Sequence, residues 1–153
     1  MMKKWLLTFI ISGLWLPTVK AEEIIYQTML VVVNPNSQLT QLSEKQVMSL
    51  FLGRSKFLPN GGGKVKAIDY PIDSSERAIF YQALTGKNIA DIDAYWARLK
   101  YSGRVSPPQA LENSRQILQM VAEQDTAIAY LPSQYEDSIA QSGLQTVLTM
   151  RLN

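Results

Sequence analysis

Val65 to Gly86 reads VKAIDYPIDSSERAIFYQALTG, and two periodicities meet in it. Val65, Ala67 and Ile68 followed by Tyr70 read as a strand, Pro71 stops it, and from Ser74 onward Ile79, Phe80, Ala83 and Leu84 recur at helical spacing. The stretch is therefore predicted to be a strand, a short loop and a helix. In open α/β sheets such a turn is where small anions bind, because the helix's first N–H groups are unpaired and the positive end of its dipole lies there. A small-molecule site is expected here first.

The pattern repeats on both sides. Thr28 to Asn34, TMLVVVN, is a continuous apolar run suited to a strand buried on both faces, inside a sheet. Asn34-Pro35-Asn36-Ser37 breaks it. Ser43 and Gln46 then form a capping box, Leu42 and Val47 a hydrophobic staple, and Gly53 is placed as the left-handed cap of the helix. Gly61-Gly62-Gly63 lies in a loop from Arg54 to Lys64; with no helix directly behind it and no Gly-Lys-Ser/Thr, it does not make a phosphate cradle. Asn88 with Asp91 opens a helix carrying Ile89, Ile92, Tyr95, Trp96 and Leu99 that stops at Gly103, with Trp96 expected in the core. Pro107-Pro108 marks an extended connection, and Asn113 with Gln116 opens a further helix. Ala127 to Leu131 is a short buried strand ended by Pro132, Ser133 with Glu136 is a further capping box, Ser142-Gly143 ends that helix, and Leu144 to Met150 is the last strand. Strands alternating with helices predict an α/β domain with a largely parallel sheet and helices on both faces.

Residues 1–21 stand apart. Lys3 and Lys4 precede an apolar run from Trp5 to Leu16, and Val19-Lys20-Ala21 suits signal peptidase, so 1–21 is read as a signal peptide and 22–153 as one exported, periplasmic domain. The run is 12 residues long, against roughly 20 needed to span a bilayer. The chain has 15 basic and 13 acidic residues, but Lys3, Lys4 and Lys20 belong to the leader, so the remainder carries one more acid than base. Nucleic acid is accordingly not an expected partner. The chain contains no cysteine and no histidine, which excludes thiol nucleophiles, zinc sites built on Cys or His, and Ser-His-Asp triads.

The order VVVNPNSQLTQLSEKQVMSLFLG, KVKAIDYPIDSSERAIFYQALTG, YWARLKYSG and AIAYLP resembles the phosphate-type substrate-binding proteins of ABC importers, which have the type II periplasmic-binding-protein fold. The resemblance runs roughly from Met29 to Pro132; its most specific parts are Leu39-Thr40 to Phe51-Leu52-Gly53 and Ile128-Ala129-Tyr130. It implies one lobe of a protein that elsewhere has two. In the family an Arg follows the strand and a Gly-Ser-Gly-Thr turn opens the helix, and these hold phosphate. Here Tyr70 stands at the Arg position, Ser74 matches directly, Ser75 replaces a glycine, and Asp73 and Glu76 bring carboxylates to the turn. Short members of the family keep a Ser-x-x-Arg that corresponds to Ser74 and Arg77.

Two readings of the turn stand side by side. Asp73 and Glu76 have the spacing of a capping box, through which the helix would satisfy its own N–H groups at a gain of about 1 kcal/mol. Arg77 lies in the first helical turn, where a cation gains nothing from the dipole, so its placement calls for an acidic partner: Asp73, Glu76 or a ligand. The candidate ligand-binding residues are Ser74, Ser75, Arg77, Asn34, Ser37 and Tyr70, with Arg104 a further basic candidate. Asn34 and Ser37 are expected to open on the same sheet edge as Ser74 and Arg77, unless they only form their turn. Tyr70 either stacks on a ligand or covers the helix.

The expected function is a non-catalytic binding module for phosphate or another small oxyanion, without cofactor or metal. The alternative is a periplasmic interaction protein that contacts a membrane transporter or sensor, marked by an apolar patch around Tyr70, Phe57 and Leu58. An enzyme is the third class; its only candidate pair, Asp69 and Asp73, lacks an accompanying nucleophile and base.

Overall fold

The computed structural model describes residues 28–152, with the exception of 104; the leader and Arg104 lie outside them. The elements run β1 Thr28–Val33, a 3-10 turn Pro35–Ser37, α1 Glu44–Phe51, β2 Lys66–Asp69, α2 Ser75–Thr85, α3 Ile89–Ser102, β3 Gln109–Ala110, α4 Ser114–Glu123, β4 Ala127–Pro132, a second 3-10 turn Ser133–Tyr135, α5 Glu136–Gln141 and β5 Gln145–Arg151. They build a five-stranded sheet in the order β3-β2-β4-β1-β5. β2 pairs parallel with β3 and β4, and β1 pairs antiparallel with β4 and β5, so four strands point one way and β1 alone is reversed.

Local chemistry sets most boundaries where the sequence places them. Ser43 accepts from the Gln46 amide while the Gln46 side chain accepts from the Ser43 amide, the predicted capping box. Asn88 and Asn113 are the side-chain N-caps of α3 and α4, accepting from the Asp91 and Gln116 amides. Gly53 has φ +65°, and a Cβ there would stand 2.5 Å from Val105 and 3.0 Å from Trp96, so both backbone shape and close packing require glycine. The box expected at Ser133 and Glu136 does not form: Ser133 starts a 3-10 turn, and neither that turn nor α5 has a side-chain cap. β3, only two residues long, begins at the end of the stretch read as an extended connection.

Apolar burial centres on β1 and β4, each covered on both faces. Side chains alternate along a strand, so β2 sends Ala67 and Asp69 to one face and Lys66 and Ile68 to the other. On the Asp69 face, Phe80 of α2 stacks on Tyr130 of β4 with ring centroids 3.6 Å apart, and Phe51 of α1 meets both edge-on. On the other face lies α4, where Lys66 Nζ reaches Met120 Sδ at 3.5 Å. Helices thus cover both faces. Among the described residues no helix is long and apolar enough to cross a membrane.

Candidate functional site

β2 ends at Asp69, in the middle of the most polar cluster of the core. Asp69 is 4% exposed, and its carboxylate accepts from the Tyr130 hydroxyl, from the Tyr81 hydroxyl at 3.0 Å, from the Tyr70 amide at 2.8 Å and from Arg77 Nε at 3.3 Å. An ionised carboxylate removed from water is tolerable only with such a complement of donors. Burial still raises the Asp69 pKa above its ordinary value, against the opposing pull of these hydrogen bonds and the Arg77 charge. Burial, followed by the Asp69 charge, pushes the Tyr81 and Tyr130 hydroxyls well above the usual tyrosine range. Both therefore stay protonated and able to donate.

Arg77 comes to this carboxylate from the first turn of α2. Pro71 ends the strand, the Ser74 amide donates to the Pro71 carbonyl at 3.0 Å, and the turn delivers Ser74 as N-cap, its hydroxyl accepting from the Arg77 amide at 3.1 Å. The predicted cap at Asp73 is thus corrected by one residue. The guanidinium meets Asp69 through Nε and Asp93 of α3 through NH1, 2.8 Å from Oδ1, and NH1 also donates to the Ile72 carbonyl at 3.4 Å. Burial draws the Arg77 pKa down, and the attraction of Asp69 and then Asp93 more than reverses this, leaving it raised. The acidic partners within the chain are therefore Asp69 and Asp93, where the sequence offered Asp73, Glu76 or a ligand.

Above this ion pair opens a cavity of about 320 Å³, lined by Asp69, Tyr70, Arg77 and Ile72, by Asp93, Trp96, Ala97 and Lys100 of α3, and by Pro107, Pro108 and Ala110. A cavity of equal volume on the far side of Trp96, between Gly53, Lys56 and Val105, contains none of the ion-pair groups. Of the predicted residues, Arg77 and Tyr70 meet in the first cavity. Tyr70 is 4% exposed, its ring lies 5.4 Å from Tyr130, and its hydroxyl shares a 2.8 Å hydrogen bond with Ser114, so it covers the core rather than standing free to stack. Ser74 caps the helix, and exposed Ser75 turns to Glu76 at 3.3 Å; neither lines the cavity.

Asn34 and Ser37 do not join the site. β1 is antiparallel to β4, with Val33 opposite Ile128, and Ile128 in turn lies beside Ala67 near the start of β2. The end of β1 is therefore carried to the opposite edge of the sheet from the end of β2. There Asn34 donates to the Val121 and Ala122 carbonyls at 3.1 and 2.8 Å and accepts from the Asn36 amide, while Ser37 Oγ accepts from the Leu39 amide. The apolar patch expected around Tyr70, Phe57 and Leu58 is likewise corrected. Tyr70 and Leu58 are buried; among the described residues the exposed large apolar side chains are Phe57, Tyr101 and, at the cavity mouth, Ile72, which is 68% exposed. Asp93 and Lys100 are the groups that sequence reasoning passed over. With Trp96 and Ala97 they follow an i, i+3, i+4, i+7 stripe, the signal that places all four on one helix face.

No protein-family model matches this chain, and no curated protein does. Solved structures do match. An ABC-type phosphate transport receptor from Vibrio cholerae superposes with a TM-score of 0.60 at 14% identity, over 81% of this chain and 54% of the other. PstS from Borrelia burgdorferi gives 0.60 at 12%, over 84% and 53%. A protein assigned as a phosphate ABC transporter substrate-binding protein from Clostridium perfringens, solved with phosphate bound, gives 0.58 at 16%, over 78% and 43%. The chain has the fold of a substrate-binding-protein lobe and spans about half the length of the proteins it matches.

Proposed function

We propose that residues 22–153 form a single exported lobe that binds, without catalysis, a small oxyanion of the phosphate type in the crevice at the end of β2. The observation that carries this reading is the buried Arg77 guanidinium, which lines an open cavity beside the N-terminus of α2. A guanidinium on a rigid element and a helix N-terminus are both suited to oxyanions. Lys100 adds a second cation to the same wall. The fold shared with phosphate receptors supports the ligand class, and the reading of 1–21 as a signal peptide supports the periplasm. An ABC importer or a membrane sensor is the corresponding partner.

Two features make the binding weak. A single lobe leaves the anion in contact with water, where charge-assisted bonds are screened, and Arg77 already faces two carboxylates. Calorimetric titration of the purified protein with inorganic phosphate and sulfate tests the reading. Saturable binding that Arg77→Lys abolishes, with the fold intact by circular dichroism, is the expected result. A folded protein that gives no saturable heat with either anion, even when the part-exposed carboxylate facing Arg77 is removed by Asp93→Ala, sinks it.

Ile72, exposed beside the apolar wall of Ala97, Pro107 and Pro108, favours the second reading: a protein-docking lobe. Under that reading Ile72→Asp abolishes association with an envelope partner, and phosphate has no effect on it.

A further inference from the structure

The two carboxylates on Arg77 are not equivalent. Asp69 belongs to the core: its side chain is 5% exposed, and besides Arg77 two tyrosines and a backbone amide donate to it. Its charge alone balances Arg77. Asp93 sits across the cavity on α3, its side chain 35% exposed, and reaches NH1 at 2.8 Å. The Asp69–Arg77 pair is neutral without it, and Asp93 and Lys100 add one charge of each sign to the cavity wall. Its place is the one an external anion needs. A carboxylate and a phosphate or sulfate oxygen compete for the same guanidinium charge, and NH1 stands 2.8 Å from Asp93 Oδ1 as an ion contact while it donates to the Ile72 carbonyl at 3.4 Å.

Resting on the oxyanion reading above, we propose that Asp93 is an internal ligand of Arg77, a tethered carboxylate that occupies the anion position and sets how readily the crevice accepts an external oxyanion. Binding is then an exchange. The incoming anion takes NH1, Asp93 swings to the cavity mouth where it is already partly solvated, and Asp69 remains in place. A tethered competitor acts at high effective concentration, and the apparent affinity falls by the fraction of time the site is open. α3 is also the natural reporter of the exchange, because Trp96 lies one turn beyond Asp93 on the same stripe and lines the same cavity.

The test uses the full chain carrying Trp5→Phe and Trp15→Phe, which leaves Trp96 as the sole indole. Inorganic phosphate, and sulfate in parallel, are titrated against this protein, Asp93→Ala and Asp93→Asn, read by Trp96 fluorescence and by calorimetry, with thermal unfolding to establish that each variant is folded. Asp93→Asn keeps the side-chain shape should the alanine variant be unstable. The expected result is a gain in affinity of at least about ten-fold on removing the charge, which is lost again when Arg77→Lys is added. Equal binding by the parent and both variants overturns the gate and leaves the oxyanion reading standing. Binding by none of them, all folded, overturns both. A loss of thermal stability without any gain in affinity makes Asp93 a structural ion pair and overturns the proposal.

Discussion

Two strand ends in this molecule look alike in sequence and do opposite things. Asn34 and Ser37 follow β1, while Asp69 closes β2 and Arg77 follows it. At the β1 end the polar groups are spent on the chain itself. The Asn34 amide holds the Val121 and Ala122 carbonyls in the last turn of α4, which would otherwise be orphaned, and its oxygen caps the following 3-10 turn. At the β2 end the core takes in a carboxylate and a guanidinium and leaves their far side on a cavity. Neutral polar groups can be fully satisfied by neighbouring backbone. Buried charges must find opposite charge on another element, and so they tie β2, α2, α3 and β4 together at one point.

That difference predicts unequal costs. Asp69→Ala strands the Arg77 guanidinium against Asp93 alone and leaves the Tyr81 and Tyr130 hydroxyls without their acceptor. The expected loss is about 3–5 kcal/mol, the range for breaking a buried ion pair from one side, measured by urea denaturation. A loss below about 1 kcal/mol, the scale of an exposed pair, removes the distinction between the two strand ends. The pH dependence sharpens it. Because the Asp69 pKa is raised in the fold, the native state holds that proton more tightly than the unfolded chain does. Its contribution to stability therefore falls as pH rises from about 3.8 through the raised value and is level above it. The stability of the protein relative to Asp69→Asn should decline over that acid window; a rise would show that the donors outweigh burial.

Asn34→Ala is expected to cost less, about 1–3 kcal/mol, for buried carbonyls left without donors. Its signature is where the loss appears. Hydrogen exchange should speed up at the C-terminal turn of α4, and phosphate titration should be unaltered. A change in anion response would contradict the placement of Asn34 on the opposite edge from Arg77.

Local signals and long-range ones separate along the same line. Ser43, Asn88, Asn113 and the glycines at 53 and 103 act on backbone within a few residues, and both ends of α1 and α3 and the start of α4 were legible from them. The direction of β1 was not. TMLVVV is equally compatible with parallel and antiparallel neighbours, and its reversal is decided by pairing with β4 and β5, about a hundred residues away. That single choice carried Asn34 and Ser37 away from the crevice. The site was half legible for the same reason. Arg77 was conspicuous as a cation in a first helical turn, while Asp93 drew no reading, because only the packing of α3 against α2 brings it to Arg77. Asp69 was noted only as a carboxylate beside Asp73, since an acid at a strand end gives no sign of its burial, and Ser133 was taken into a 3-10 turn where it does not cap α5.

The smallest expected effect is the most discriminating for the turn itself. Ser74 was assigned to an anion, and the fold uses its oxygen to accept the Arg77 amide. An N-cap serine replaced by alanine costs about 1 kcal/mol, so Ser74→Ala should lower stability by that amount and leave the guanidinium where Asp69 holds it. Its hydroxyl proton is still available to a ligand, because an N-cap oxygen accepts through a lone pair. If Ser74 is only a cap, Asp93→Ala and Asp93→Ala with Ser74→Ala bind phosphate equally well once the stability difference is accounted for. If the double variant loses a further several-fold in affinity, the hydroxyl contacts the anion as well, and the Ser-x-x-Arg pair acts as one unit at the end of β2.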